Sequence, residues 1–122
     1  MDRARPPNDI TPAGFFTEWV PQAVAADAER RRRLGDTDAT IEFIVESDGE
    51  DAGGVFALRV RDGAVEGRAG RPLRPDLRVR VDIATWRALN RGEIGAPEAL
   101  LRRRVHLEGD FLLGLKLHLI LG

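Results

Sequence analysis

The sequence predicts an α+β domain of two layers, a sheet with helices packed over one of its faces. Three observations predict it. Several short segments alternate apolar and polar residues with a period of two, so each has one apolar and one wet face. Segments before and after them repeat with a helical period near 3.6 residues. The order helix, three strands, loop, strand, two short helices, strand, helix then leaves one apolar sheet face, which the helices must cover. A chain of 122 residues fits one such domain, and the reading extends it over residues 11–122 behind a flexible tail at 1–10.

That tail carries two prolines and four charges and offers little to bury. Thr11-Pro12 starts a helix, an N-cap oxygen followed by a ring whose missing N–H has no intrahelical partner there. The helical pattern runs through Phe15, Phe16, Trp19, Val20, Val24 and Ala25 to Leu34, with Gly35 as its stop. Pro21 should kink or divide it. The run ERRRR at 29–33 reads as a solvated helix end whose charge complements the helix dipole.

From Ala39 to Ser47 the alternation sets Ile41, Phe43 and Val45 on one face of a strand. The acidic loop DGEDAGG leads into VFALRVR, where Phe56, Leu58 and Val60 share a face. Asp62-Gly63 is a tight hairpin signal before a short third strand, AVEGRAG. The prolines of RPLRPD mark a loop, and LRVRVD turns Leu77, Val79 and Val81 inward with Arg78 and Arg80 outward. The period then changes. ATWRALNRG places Trp86 and Leu89 on one side of a short helix that Gly92 can end, and APEALLRR forms another with Leu100 and Leu101 facing in. RVHLEGD is a fifth strand, turned at Gly109-Asp110 into the terminal helix.

That helix, Phe111 to Leu121, has eight large apolar residues of eleven, distributed around nearly its whole circumference, and a helix hydrophobic all round must be enclosed. At about 1.5 Å per residue it spans roughly 16 Å, well short of the roughly 30 Å of bilayer hydrocarbon. It is therefore either a central core helix or the wall of an apolar cavity.

Composition excludes several classes of function. The 19 basic and 20 acidic residues leave a formal charge of -1, so the long-range field that gathers nucleic acid or anionic membrane is missing. This argues for no nucleic-acid partner and at most transient membrane contact. The absence of cysteine removes disulfides, thiolate nucleophiles and thiolate metal sites. No secretory h-region occurs near residue 1, so the expectation is a cytoplasmic protein.

Catalytic and cofactor chemistry is poorly represented. Ser47, the only serine, lies at a strand end beside a flexible loop, without a G-x-S-x-G context. His106 and His118, twelve residues apart on different elements, have no metal-ligand spacing. Glycines 49, 53 and 54 sit in an acidic loop that repels phosphate. Glu93, Glu98, Glu108 and Asp110 read as solvated charges. No catalytic residue, metal or cofactor is expected. Lys116, the sole lysine, is expected to cover apolar surface with its stem while its ammonium reaches water or a ligand's acidic head group. Trp19 and Trp86 read as core residues or ligand contacts.

From about Ala39 onward the chain resembles the sterol carrier protein 2 family of small lipid-binding domains. The resemblance rests on a series: a strand ending near DG, PDLRVRVD, TWRALNRGEI, APEALLRR, VHLEGD and LGLKL. It implies a five-stranded mixed sheet with an apolar tunnel between the layers that takes fatty acyl chains, sterols or other lipids, without catalysis. Carried onto matching positions, it implies tunnel contributions from Trp86, Leu89, Ile94, Leu100, Leu101, Leu112, Leu115 and Leu119, with Lys116 at the mouth. Phe43, Phe56 and Leu58 add the floor if their faces are inward. The chain departs from some members in ending Leu-Gly where they carry a peroxisomal Ser-Lys-Leu signal. Members of this fold also serve as accessory domains, so the alternative is an accessory or protein-interaction domain in an enzyme system with hydrophobic substrates of quinone or polyketide type.

Overall fold

The computed structural model describes residues 5–49 and 52–121, the side chains of 119–121 excepted. The N-terminal helix begins as expected, with the Gly14 N–H donating to the Thr11 hydroxyl at 3.0 Å. It runs without interruption as α1 (Pro12–Gly14), a π-helical turn (Phe15–Trp19) and α2 (Val20–Ala26). In the π turn the Val20 N–H reaches back five residues to the Phe15 carbonyl. The chain stays helical through Pro21 and breaks instead at Asp27, which correctly takes over as the cap of α3 (Ala28–Leu34) through the Glu29 and Arg30 N–H groups. The widened register explains why proline is tolerated: its missing donor falls where the ladder is already irregular.

Five strands form one mixed sheet in the order β3-β2-β1-β4-β5, with β1 Ala39–Glu46, β2 Gly54–Arg61, β3 Ala64–Ala69, β4 Leu77–Asp82 and β5 Val105–Gly109. β1 and β4 are parallel, and the other pairs are antiparallel. Asp62 and Gly63 both take positive φ, 54° and 73°, as a two-residue hairpin turn matched to strand twist requires. The register sets Phe43 beside both Phe56 and Val79, and Ile41 beside Leu58 and Leu77, so alternate residues of the strands make one apolar face.

The opposite face is less wet than the alternation predicts. Glu42 and its cross-strand partner Ala57 lie on it, yet both are buried. The β3–β4 connection must pass over β2 and β1, and Arg71, at its start, reaches Glu42 at 3.5 Å on this side. Glu42 is also held by Arg78 Nε at 2.6 Å. A loop laid across the sheet, not a helix, removes this carboxylate from water.

The helical layer covers the apolar face. The π turn and α2 pack on β2 and β3, α4 (Ile83–Asn90) packs on β4 and β1, and α6 (Phe111–Leu121) lies over β4 and β5 and against α3. Asp82 caps α4, accepting from the Thr85 N–H at 3.0 Å and the Thr85 hydroxyl at 2.6 Å. Residues 5–10 follow α4, where the Arg91 and Arg87 guanidinium groups donate to the Asn8 and Ile10 carbonyls. Residues 1–4 of the expected tail are outside the described residues.

Two expectations are corrected. α5 (Ala96–Leu101) turns Ala99 inward, fully buried, while Leu100 and Leu101 face out, Leu101 at 86% exposure. A six-residue helix beside β5 presents only one side chain per turn to the interior, and the small one takes that place. Nor is α6 enclosed all round. It buries Leu113 and Leu117, whereas Phe111, Leu112 and Leu115 are 63%, 76% and 61% exposed. α6 forms the outer rim of a two-layer structure, with the sheet and α3 on one side only.

Candidate functional site: the apolar layer between α6, α4 and the sheet

The sheet edge at Gly109 aims α6 back across the strands. Gly109 has φ 114°, and a Cβ there would come within 2.4 Å of the Asp76 carbonyl oxygen, to which the Asp110 N–H also donates. The Asp110 carboxylate then caps the Leu113 N–H at 3.2 Å. Gly114 sets α6 down on Leu107 and Leu77, since a Cβ there would lie 3.1 Å from Leu107 Cδ1. Leu113 and Leu117 consequently join the core formed with Leu77, Val79 and Val81.

Over β1 and β2 the layer is aromatic. The Phe16 ring lies 4.6 Å from that of Phe43 and 5.1 Å from that of Phe56, and Phe15 meets Trp86 edge-on at 5.5 Å. Trp19 stacks on Phe15 at 5.4 Å and takes the Arg30 guanidinium over its face. Such pairs contribute about 0.5–1.5 kcal/mol each beyond area burial. Phe43, Phe56, Leu58 and Trp86 are therefore brought together in one buried cluster, with Phe16 filling the space between them.

The other expected site residues are distributed differently. Ile94 is buried and Leu89 half-buried in and after α4, whereas Leu100, Leu101, Leu112 and Leu115 lie on the outside. Lys116 is exposed, and its Nζ donates to Thr37 Oγ1 at 2.8 Å, tying α6 to the α3–β1 connection. The Leu119 side chain lies outside the described residues. Leu113, Leu117, Phe15 and Phe16, all buried, were not among the site residues expected from the sequence. The signal for the phenylalanines was their place three or four residues before Trp19 and Val20 on one helical face; on α6, where nearly every residue is apolar, no signal separates Leu113 from Leu112.

The arrangement offers burial and little else. Among the described residues no group of three potential metal ligands converges. His106 lies on the far face of the sheet, in a groove of about 280 Å³ with Arg78, Arg80, Leu107 and Glu108, while His118 is on α6 across the sheet from it. The Ser47 hydroxyl accepts from the Gly49 N–H at 3.1 Å and closes a turn. No described helix is long and apolar enough to cross a membrane.

Residues 20–122 match the model of the SCP-2 sterol transfer family. The chain belongs to this family. Its SCP-2 fold is shared with solved structures of low sequence identity. The solution structure of sterol carrier protein domain 2 of Helicoverpa armigera is 15% identical with a TM-score of 0.70, covering 93% of this chain and 88% of that one. Palmitated SCP2L2 from Aedes aegypti is 20% identical with a TM-score of 0.65, covering 85% and 88%. The sec-alkylsulfatase Pisa1 from Pseudomonas sp. is 23% identical with a TM-score of 0.64; the match covers 93% of this chain but spans only 16% of the sulfatase. No curated protein sequence matches the chain. Within the SCP-2 family frame, the strand-turn-helix VHLEGD to LGLKL is the β5–α6 unit that carries the rim of the apolar layer.

Proposed function

We propose that this SCP-2 domain binds fatty acyl chains, sterol-like molecules or other lipids in an apolar tunnel between the helical layer and the sheet, for carriage or transfer in the cytoplasm and without catalysis. The observation that carries the reading is α6 itself: a helix apolar on both sides, turned by Gly109 to stand on one edge of the sheet with Leu113 and Leu117 inward. The similarity to a palmitated domain supports an acyl ligand. Wall residues would be Trp86, Leu89, Ile94, Leu113 and Leu117, with Phe43, Phe56 and Leu58 as the floor.

The energetics are consistent. An empty apolar cavity of about 300 Å³ costs roughly 7 kcal/mol at about 24 cal/mol per Å³, comparable to a small domain's stability of about 5 to 15 kcal/mol. A sixteen-carbon chain at about 0.8 kcal/mol per CH₂ gains roughly 12 kcal/mol gross on burial, before the costs of association. Affinity then needs no directional polar contact, and selection is by length and width. Native mass spectrometry of protein purified from cells, together with displacement of a fluorescent fatty acid, tests the reading; no co-purifying lipid and no displacement would sink it.

A second reading has one observation in its favour. A fold of this kind forms a small part of a much larger sulfatase, so the domain would serve an enzyme acting on hydrophobic substrates. Co-purification of such an enzyme, with substrate handed to it from this domain, would favour that reading.

A further inference from the structure

Phe111, Leu112 and Leu115 make one contiguous apolar arc on α6, of about 100° at 100° per residue. Lys116 borders this arc on one side and His118 on the other, both exposed, and no acidic residue occurs from 111 to 121. Leu113 and Leu117 occupy the opposite side, against the core. An apolar strip bordered by the Lys116 ammonium on one side and the His118 imidazole on the other matches an anionic bilayer interface, where apolar side chains enter the acyl boundary and the ammonium and an imidazole N–H donate to lipid phosphates. A twofold dimer through the same strip would bring two Lys116 ammonium groups into one seam, with no acid on the helix to balance them.

We propose that this arc of α6 is the surface by which the protein docks on anionic phospholipid bilayers, the helix lying in the plane of the interface. Docking places the inner side of the same helix directly over the lipid source, and in this its purpose rests on the ligand-binding reading above. The contact needs no membrane-spanning segment. Three partly inserted side chains and one lysine give reversible attachment, as exchange of cargo requires.

Flotation with vesicles of phosphatidylcholine alone, or of phosphatidylcholine and phosphatidylglycerol in equal parts, tests the proposal. The protein is expected to float with the mixed vesicles and about fivefold less with the neutral ones. Replacing Phe111, Leu112 and Leu115 together by serine should weaken flotation at least about tenfold, with circular dichroism unchanged because all three are exposed. Leu73→Ser, 98% exposed on the loop across the other sheet face, should float like the parent protein. Failure of the parent to float, or equal flotation of the triple variant, overturns the proposal. So does a dimer in sedimentation that the triple variant abolishes, which would assign the arc to a second copy.

Displacement of a fluorescent fatty acid in solution, without vesicles, separates this inference from the preceding one. The triple variant should retain displacement, and its loss would make the arc part of the ligand wall and refute docking. If the parent shows no displacement, the ligand reading fails while flotation still decides the docking surface.

Discussion

The Phe16 carbonyl oxygen lies against Gly67 of β3, so close that a Cβ on the glycine would fall 1.8 Å from it. Two irregularities meet here. The Phe16 carbonyl belongs to the π turn and lies five residues before Pro21, which has no N–H to give it. β3 can approach that carbonyl only where the strand has no side chain on its inner face. Gly67→Ala should therefore force the helix off the sheet, costing about 2 to 3 kcal/mol in urea unfolding. An unchanged midpoint would show that the helix is free to move.

Glu42 is 1% exposed and is held by Arg78 and Arg71 beneath the crossover loop. Removing it strips Arg78 of its nearer partner, though Glu108 at 3.3 Å remains. Glu42→Ala is expected to cost about 2 to 4 kcal/mol, whereas Arg71→Ala, whose side chain is mostly in water, should cost less than about 1 kcal/mol. Equal losses in chemical denaturation would contradict the burial argument.

Asp82 links the sheet to α4. Burial by itself would raise its pKa, but hydrogen bonds from the Thr85 side chain and backbone and from its own backbone, together with the Arg104 charge, outweigh burial and hold it below the usual value. The folded state thus binds this proton less tightly than the unfolded chain. Its stabilisation is complete above the unfolded pKa near about 4 and is lost as pH falls through the lower folded value. Asp82→Asn should narrow its stability gap from the parent protein as the solution is acidified. Asp82→Ala should cost about 1 to 2 kcal/mol at neutral pH through loss of the cap. A gap independent of pH would remove Asp82 from the acid response.

For the ligand site, Leu113→Ala and Leu117→Ala are expected to weaken binding of a sixteen-carbon fluorescent probe about tenfold each, read on the folded fraction. Leu101→Ser should leave binding unchanged, since that side chain points to solvent. The reverse ranking would move the site to the outside of α5.

Much of the fold was legible because strand periodicity is local. Leu77, Val79 and Val81 alternate with Arg78 and Arg80, and the pleat alone assigns their faces. Asp62-Gly63 and Gly109 announced their turns because few residues take positive φ. The site was less legible. Leu112 and Leu113 are the same residue type on a helix with almost no polar face, so the sequence contained no signal for which one is buried. Ala99, hidden while Leu100 and Leu101 stand outside, inverts the hydrophobicity rule, because the way α5 is set against β5, a tertiary contact, decides which of its residues faces inward.

The sequence by itself determined the two-layer α+β class, the strands and their apolar face, the turns, and the ordered pattern shared with the SCP-2 sterol transfer family. These depend on dihedral preferences and periods set within a few residues. Only the tertiary structure decided that Phe16 fills the space among Phe43, Phe56 and Trp86, that a loop hides Glu42, and that α6 shows Phe111, Leu112 and Leu115 to solvent. Each of those depends on which remote segment arrives beside a residue, and burial is a property of that meeting.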